Sequence, residues 1–170
     1  MINPKDPDWE HTAAGRPFSY KYGYGRLDAW RYVTAAKTWS LVKPQAWVEM
    51  PLFELGGGKV DSDGAMLGGE PIVPGGVGST LTVSHDLLLE RNFEKLEHVT
   101  VTVWINHTTR GDVEVELQSP NGVRSVMAGP RKGDTDSSGY PGWTFMSIKH
   151  WLIGFVVRLL LLALMLYHQG

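Results

Sequence analysis

The sequence predicts a mainly β protein, a β-sandwich or jelly roll preceded by one helix and followed by an apolar helix. Three observations carry that expectation. Several short runs of valine and threonine alternate with period two, twenty glycines and ten prolines supply turns between them, and one sixteen-residue run is almost wholly apolar. A chain of 170 residues holds one ordinary domain with an appendage. With 42% hydrophobic and 20% charged residues it has the composition of a globular domain. Its net charge of −2 lacks the basic excess of a nucleic-acid-binding domain, so no nucleic-acid partner is expected. There are no cysteines, which excludes a disulfide framework, a cysteine-ligated zinc site and a cysteine nucleophile together.

The elements follow in chain order. The first ten residues carry Lys5, Asp6, Asp8 and Glu10 without an apolar core, so no signal peptide is visible in this chain. Residues 6–22 are polar and irregular, broken by Pro7, Gly15 and Pro17. Leu27, Trp30, Val33 and Ala36 or Lys37 then recur at helical spacing, predicting a helix over 26–38 opened by Gly23 and Gly25. Lys43-Pro44 leads into an extended linker, after which Ala46, Val48 and Met50 alternate with Trp47 and Glu49 as in a strand. Residues 56–59 and 61–69 read as a flexible glycine-rich loop, 80–84 as a short strand, and 86–93 as a helical or turn-like segment.

The clearest signal lies in the middle. Over 98–105, Val99, Val101, Val103 and Ile105 fall on one face and Thr100, Thr102 and Trp104 on the other. Over 112–117, Val113, Val115 and Leu117 point inward and Asp112, Glu114 and Glu116 outward. Ser119-Pro-Asn-Gly122 turns the chain into a strand at 123–127, and the three strands together predict an antiparallel meander with one buried face. A polar loop at 129–141 precedes a last strand near 143–149. Residues 152–167 carry a single charge, Arg158, and no amphipathic period. As a helix they span about 24 Å, short of the roughly 30 Å hydrocarbon core, so a membrane contact through this run is expected to be marginal.

Several phrases, in this order, resemble one family. Asn3-Pro4, Asp6-Pro-Asp-Trp9 and Tyr22-Gly-Tyr-Gly25 with Asp28-Ala29 and Val33 resemble the end of a subtilisin-like protease domain. Leu96-Glu-His-Val-Thr-Val101, Thr109 through Gly122, and Gly139-Tyr-Pro-Gly-Trp-Thr-Phe-Met-Ser147 with Lys149-His-Trp151 resemble the P domain (Homo B domain) of the kexin/furin-type proprotein convertases. The resemblance divides the chain into 1–40, the end of the peptidase domain; 41–151, an incomplete P domain; and 152–170, an apolar tail. It implies a non-catalytic stabilising and regulatory module of a calcium-dependent serine endopeptidase. The complete enzyme would cleave precursor proteins after paired basic residues in the secretory pathway, in the Golgi, on or near a membrane. The implied partner is the protease domain of the parent enzyme.

Two departures qualify it. The family's catalytic Asp, His, oxyanion Asn and Ser match no residue here, and no Gly-Thr-Ser nucleophile motif is present, so no catalytic residue is assigned. After Lys149-His-Trp151 the family pattern expects closing strands, where the apolar run stands instead.

Other motifs have a functional and a plainer reading. Arg110-Gly111-Asp112 has the form of an integrin-adhesion motif, but a turn at Gly111 leading into a strand explains it more simply. Asn106-His-Thr108 is a glycosylation sequon at a strand end. Asp61-Ser-Asp-Gly64 and Asp134-Thr-Asp-Ser-Ser-Gly139 have oxygen-rich spacing that suits calcium, yet neither completes an EF-hand, and solvated turns are the better reading; no cofactor is assigned to this chain. Trp47, Trp104, Trp143 and Trp151 are expected to fill the core or cover a neighbour rather than to stack sugars. Two alternatives stay open: a secreted β-sandwich that binds a surface ligand, and a small tail-anchored membrane protein.

Overall fold

The computed structural model describes residues 2–12 and 14–150 in full and the backbone of 157–165. Its elements are β1 (Glu10–His11), β2 (Pro17–Phe18), α1 (Ala29–Ala36), β3 (Lys59–Val60), β4 (Met66–Leu67), β5 (Val77–Val83), α2 (His85–Glu90), β6 (Val99–Ile105), a 3-10 turn at Arg110–Asp112, β7 (Val113–Gln118), β8 (Arg124–Ala128), β9 (Tyr140–Ser147) and β10 (Val157–Met165).

The strands form a four-stranded antiparallel sheet of order β5-β10-β7-β8, a facing β6-β9 pair, and two small hairpins, β1-β2 and β3-β4. Side chains from the two larger layers meet in one core. Val113, Val115 and Ala128 come from β7 and β8, and Val103 and Tyr140 from β6 and β9, with Val101, Ile105, Met127 and Phe145 packed around them. This is the sandwich that the alternation of Val99 through Ile105 and Val113 through Leu117 anticipates, with Val113, Val115 and Leu117 all buried. A second cluster, Val83, Leu88 and Leu96, lies at the end of the sandwich beside α2 and takes in Val48, Phe93 and Val99.

Five expectations are corrected. The strands at 98–105, 112–117 and 123–127 are not one meander: β6 pairs with β9, while β7 pairs with β8 and β10. Between Ile105 and Val113 the chain crosses from one layer to the other through the 3-10 turn, so consecutive strands face each other instead of pairing. Glu116, expected outward in solvent, is buried, because β7 is a central strand and Arg124 of β8 donates from Nε to both carboxylate oxygens at 2.8 Å. Residues 45–50 form no strand; Val48 packs into the second cluster from irregular backbone. The glycine-rich stretch at 56–69 contains the β3-β4 hairpin, Lys59 opposite Leu67 and Val60 opposite Met66.

The apolar run supplies the fifth. Residues 157–165 are not a helix but the strand β10, lying between β5 and β7 and pairing with both. The remainder of 152–167 lies outside the described residues. Among the described residues no helix is long and apolar enough to cross a membrane.

The helix α1 is shorter than the 26–38 expected. Asp28 caps it by accepting from the Arg31 backbone N–H at 3.0 Å, and it ends in turns at Lys37–Thr38. None of its residues is buried.

Candidate functional site

Two side-chain clusters stand out. The first joins the N-terminal arm, residues 2–24, to the end of the sandwich. Within the arm, Asp6 accepts from Lys21 Nζ at 3.0 Å and from the Tyr22 hydroxyl at 3.0 Å, and Asp8 accepts from the buried Ser19 hydroxyl at 2.6 Å. Trp9 stacks on Tyr22 and donates through its indole N–H to the Asn3 carbonyl at 3.0 Å. These bonds fold a segment poor in regular structure into a fixed shape.

That arm then grips the sandwich. The backbone N–H of Val126 in β8 donates to the Tyr20 hydroxyl at 2.8 Å, and the Tyr24 hydroxyl donates to the Ile148 carbonyl at 3.3 Å. Lys149, just beyond β9, is almost fully buried; its ammonium pairs with Glu10 and lies 5.0 Å from the Tyr20 ring centroid and 5.8 Å from that of Phe18. Beside it His150 is completely buried, and neither ring nitrogen meets a hydrogen-bond partner among the described residues. Burial, reinforced by the Lys149 charge, holds its pKa down at about 4, so the imidazole is neutral near pH 7.

The second cluster surrounds the Arg-Gly-Asp segment. Arg110 donates to both Asp134 oxygens at 2.8 Å, while Arg131 reaches the same carboxylate at 3.0 Å and the Tyr140 hydroxyl at 2.8 Å. The Arg110 guanidinium lies 4.8 Å over the Trp143 ring. The same guanidinium, helped by Arg131, holds the Asp134 pKa down at about 2. Gly111 sits where a Cβ would fall 2.1 Å from the Arg131 carbonyl oxygen and 2.6 Å from that of Asp134. Glycine is therefore required by close backbone approach. Arg110 is tied inward, unlike the free guanidinium on which an adhesion motif depends.

The remaining motif residues take ordinary positions. Asn106 is exposed at the end of β6, its amide nitrogen donating to the Met66 carbonyl at 3.2 Å. Asp61 Oδ1 accepts the backbone N–H groups of Asp63 at 3.0 Å and Ala65 at 2.8 Å, closing its own turn. The Asp134 carboxylate is engaged by two arginines, Arg110 and Arg131. Among the described residues no group of three or more histidines and carboxylates is arranged to hold a metal. Trp47 and Trp143 are surface residues, not core: Trp47 meets His98 edge-on, and Trp143 carries Arg110. Trp104 is half-buried, its indole against Gly142, whose positive φ of 79° forms the bulge opposite β6. Trp151 lies outside the described residues.

Lys149-His150 belongs to the resembling phrases, yet no local pattern gives either residue a role. Nor does any local pattern relate the partners in Lys149–Glu10 and Arg124–Glu116, so both pairings are invisible in the sequence.

The fold is therefore a β-sandwich clasped by a preceding arm. A family profile described as proprotein convertase P-domain matches residues 96–152. The dibasic-processing endoprotease of Schizosaccharomyces pombe is 39% identical over 86% of the chain and 20% of its own length. Kexin of Saccharomyces cerevisiae is 35% identical over 86% of the chain and 17% of its own length. A crystal structure of the Aeromonas sobria serine protease superposes with a TM-score of 0.65 at 23% identity, covering 94% of this chain and 26% of that one, which shows the shared fold. The chain is thus a P-domain segment of the proprotein convertases, and within that group it is of the kexin type. It spans about a fifth of the length of these curated relatives.

Proposed function

We propose that this chain is the non-catalytic module that stabilises the protease domain of a kexin-type endopeptidase, one that processes precursor proteins after paired basic residues. The observation that carries the reading is the uncovered apolar stripe of α1 and its flanks. Leu27, Trp30, Tyr32, Val33 and Trp39 are all exposed, and Leu27 and Trp30 keep about three-quarters of their surface (73% and 75%). An apolar helix that its own sandwich leaves bare calls for a body to cover it. The protease domain of the parent enzyme has the right sequence neighbourhood, because the segment before α1 resembles the end of that domain. The arm supports this as well: Glu10, Tyr20 and Tyr24 bind β8 and the end of β9, so a body continuous with the arm would be held against the sandwich.

Calcium dependence and residence in the Golgi or at a membrane belong to this reading as expectations for the complete enzyme. The chain alone, without nucleophile, base or oxyanion donor, is expected to leave a Lys-Arg peptide uncleaved at any calcium level.

The test is a chimera. The catalytic domain of Saccharomyces cerevisiae kexin is joined to residues 1–170 in place of its own corresponding region and compared with the catalytic domain alone. Recovery of soluble protein that cleaves a Lys-Arg peptide supports the proposal. A chimera no more active or soluble than the isolated catalytic domain overturns it, as does Lys-Arg cleavage by the 170-residue chain itself.

A further inference from the structure

The strand β10 occupies an unusual place. It is the last described element, yet it is a central strand of the four-stranded sheet. On one side it pairs with β5, from Val157 opposite Val83 to Ala163 opposite Val77. On the other it pairs with β7, from Leu160 opposite Gln118 to Met165 opposite Val113. Among the described strands β5 has no other partner, and β7 has only β8. Without this strand both facing edges carry bare N–H and C=O groups, which are costly to leave unmade and prone to capture any extended chain.

Recognition along such a slot comes mainly from the backbone, so it constrains side chains only at alternate positions. The register specifies which. Positions 161, 163 and 165 lie opposite Leu117, Val115 and Val113, the buried face of β7, whereas 160, 162 and 164 lie opposite Gln118, Glu116 and Glu114. Three of the five leucines in this run therefore stand at register positions opposite polar or acidic residues of β7.

We propose that the gap between β5 and β7 is a strand-binding site for an extended peptide, apolar at alternate positions, and that this chain fills it with its own Val157–Met165. The ligand is recognised by main-chain pairing on both edges and by the apolar wall of Val113, Val115 and Leu117. A separate peptide of the same pattern takes the site when the chain's own strand is prevented from pairing.

The test uses the full chain, whose lack of cysteine makes engineered pairs unambiguous. Opposed residues in an antiparallel ladder lie about 4.5–5.5 Å apart, within disulfide range. Thr80→Cys with Leu160→Cys probes the β5 edge, and Gln118→Cys with Leu160→Cys probes the β7 edge. Both are expected to oxidise within one chain. A second arm adds a lysine-flanked, labelled peptide of residues 157–165 during refolding. Leu161→Pro, which removes a ladder N–H, is expected to capture this peptide at least about tenfold more than the parent chain. A third compares Leu160→Thr/Leu164→Lys, expected to fold like the parent, with Leu161→Thr/Ala163→Lys, expected to aggregate. Absence of both intrachain cross-links, equal capture by parent and Leu161→Pro, or equal tolerance of the two double variants each overturns the proposal. Equal tolerance is the result a helical, membrane-bound segment gives.

Discussion

Gly111→Ala tests whether the Arg-Gly-Asp segment is a packing solution. The added methyl would meet two backbone carbonyl oxygens, at 2.1 Å on Arg131 and 2.6 Å on Asp134, neither of which can swing aside as a side chain would. Those residues are also bonded to Gly111 itself: its N–H donates to the Asp134 carbonyl at 2.9 Å, and its carbonyl accepts from the Arg131 N–H at 2.9 Å. Making room separates the 3-10 turn from the loop at 129–139 and weakens both bonds. Overpacking costs about 1–3 kcal/mol, and two weakened backbone hydrogen bonds about 0.5–1.5 kcal/mol each, so a loss of about 3 kcal/mol is expected. For a chain of this size that lowers Tm by about 6–12 °C. The control is Gly133→Ala in the same loop, where a Cβ meets nothing within 4 Å and φ is not positive. Thermal melts of the two variants by circular dichroism, at one pH and salt, decide the matter. If Gly111→Ala melts within about 2 °C of Gly133→Ala, the close approach at Gly111 does not constrain the fold.

The arm and the central sheet give three further tests. Among the described residues, Glu10→Ala leaves the buried Lys149 ammonium with the Phe18 and Tyr20 rings, and a loss of about 2 kcal/mol is expected, measured by chemical denaturation. Arg124→Ala strips the side-chain partner from the buried Glu116 carboxylate; because Arg124 itself is more than half exposed, the expected loss is about 1–2 kcal/mol, and Arg124→Lys should restore part of it. His150 titrates near 4 when folded, against about 6.5 when unfolded. Its contribution is therefore fully present above about pH 6.5 and is lost as pH falls toward 4; His150→Phe should flatten that part of a stability–pH profile, and an unchanged slope refutes the assignment.

What could be read from the sequence follows physical range. The alternation of Val99 through Ile105 and of Val113 through Leu117 is a local signal, because each strand has one face on a single core, and both strands appear where expected with those residues inward. The turn at Ser119–Gly122 is equally local: the Ser119 hydroxyl accepts from the Val123 N–H at 3.1 Å, and Gly122 donates back to the Ser119 carbonyl at 2.9 Å. Which strand pairs with which is not local. The partners Val99 and Ser147 are far apart in the chain, and period-two patterning looks the same whether β6 lies beside β7 or across the core from it. The arm's grip is hidden for the same reason, since Glu10 and Lys149 carry no mutual signature in sequence.

The apolar run shows where a local signal misleads. Leucine dominates 157–165, and in isolation leucine favours helix by propensity while the absence of polar residues leaves no period to contradict it. Propensity differences of this kind amount to tenths of a kcal/mol per residue. A strand in the slot satisfies backbone groups along two sheet edges at once, each otherwise worth about 1–3 kcal/mol when buried unmade. Backbone pairing outweighs helix propensity, and the segment is extended. The identity of 157–165 as a strand is thus a property of the gap between β5 and β7 more than of its own leucines. For that reason the tolerance of its alternate positions, not its overall hydrophobicity, is the measurement that separates a sheet strand from a membrane segment.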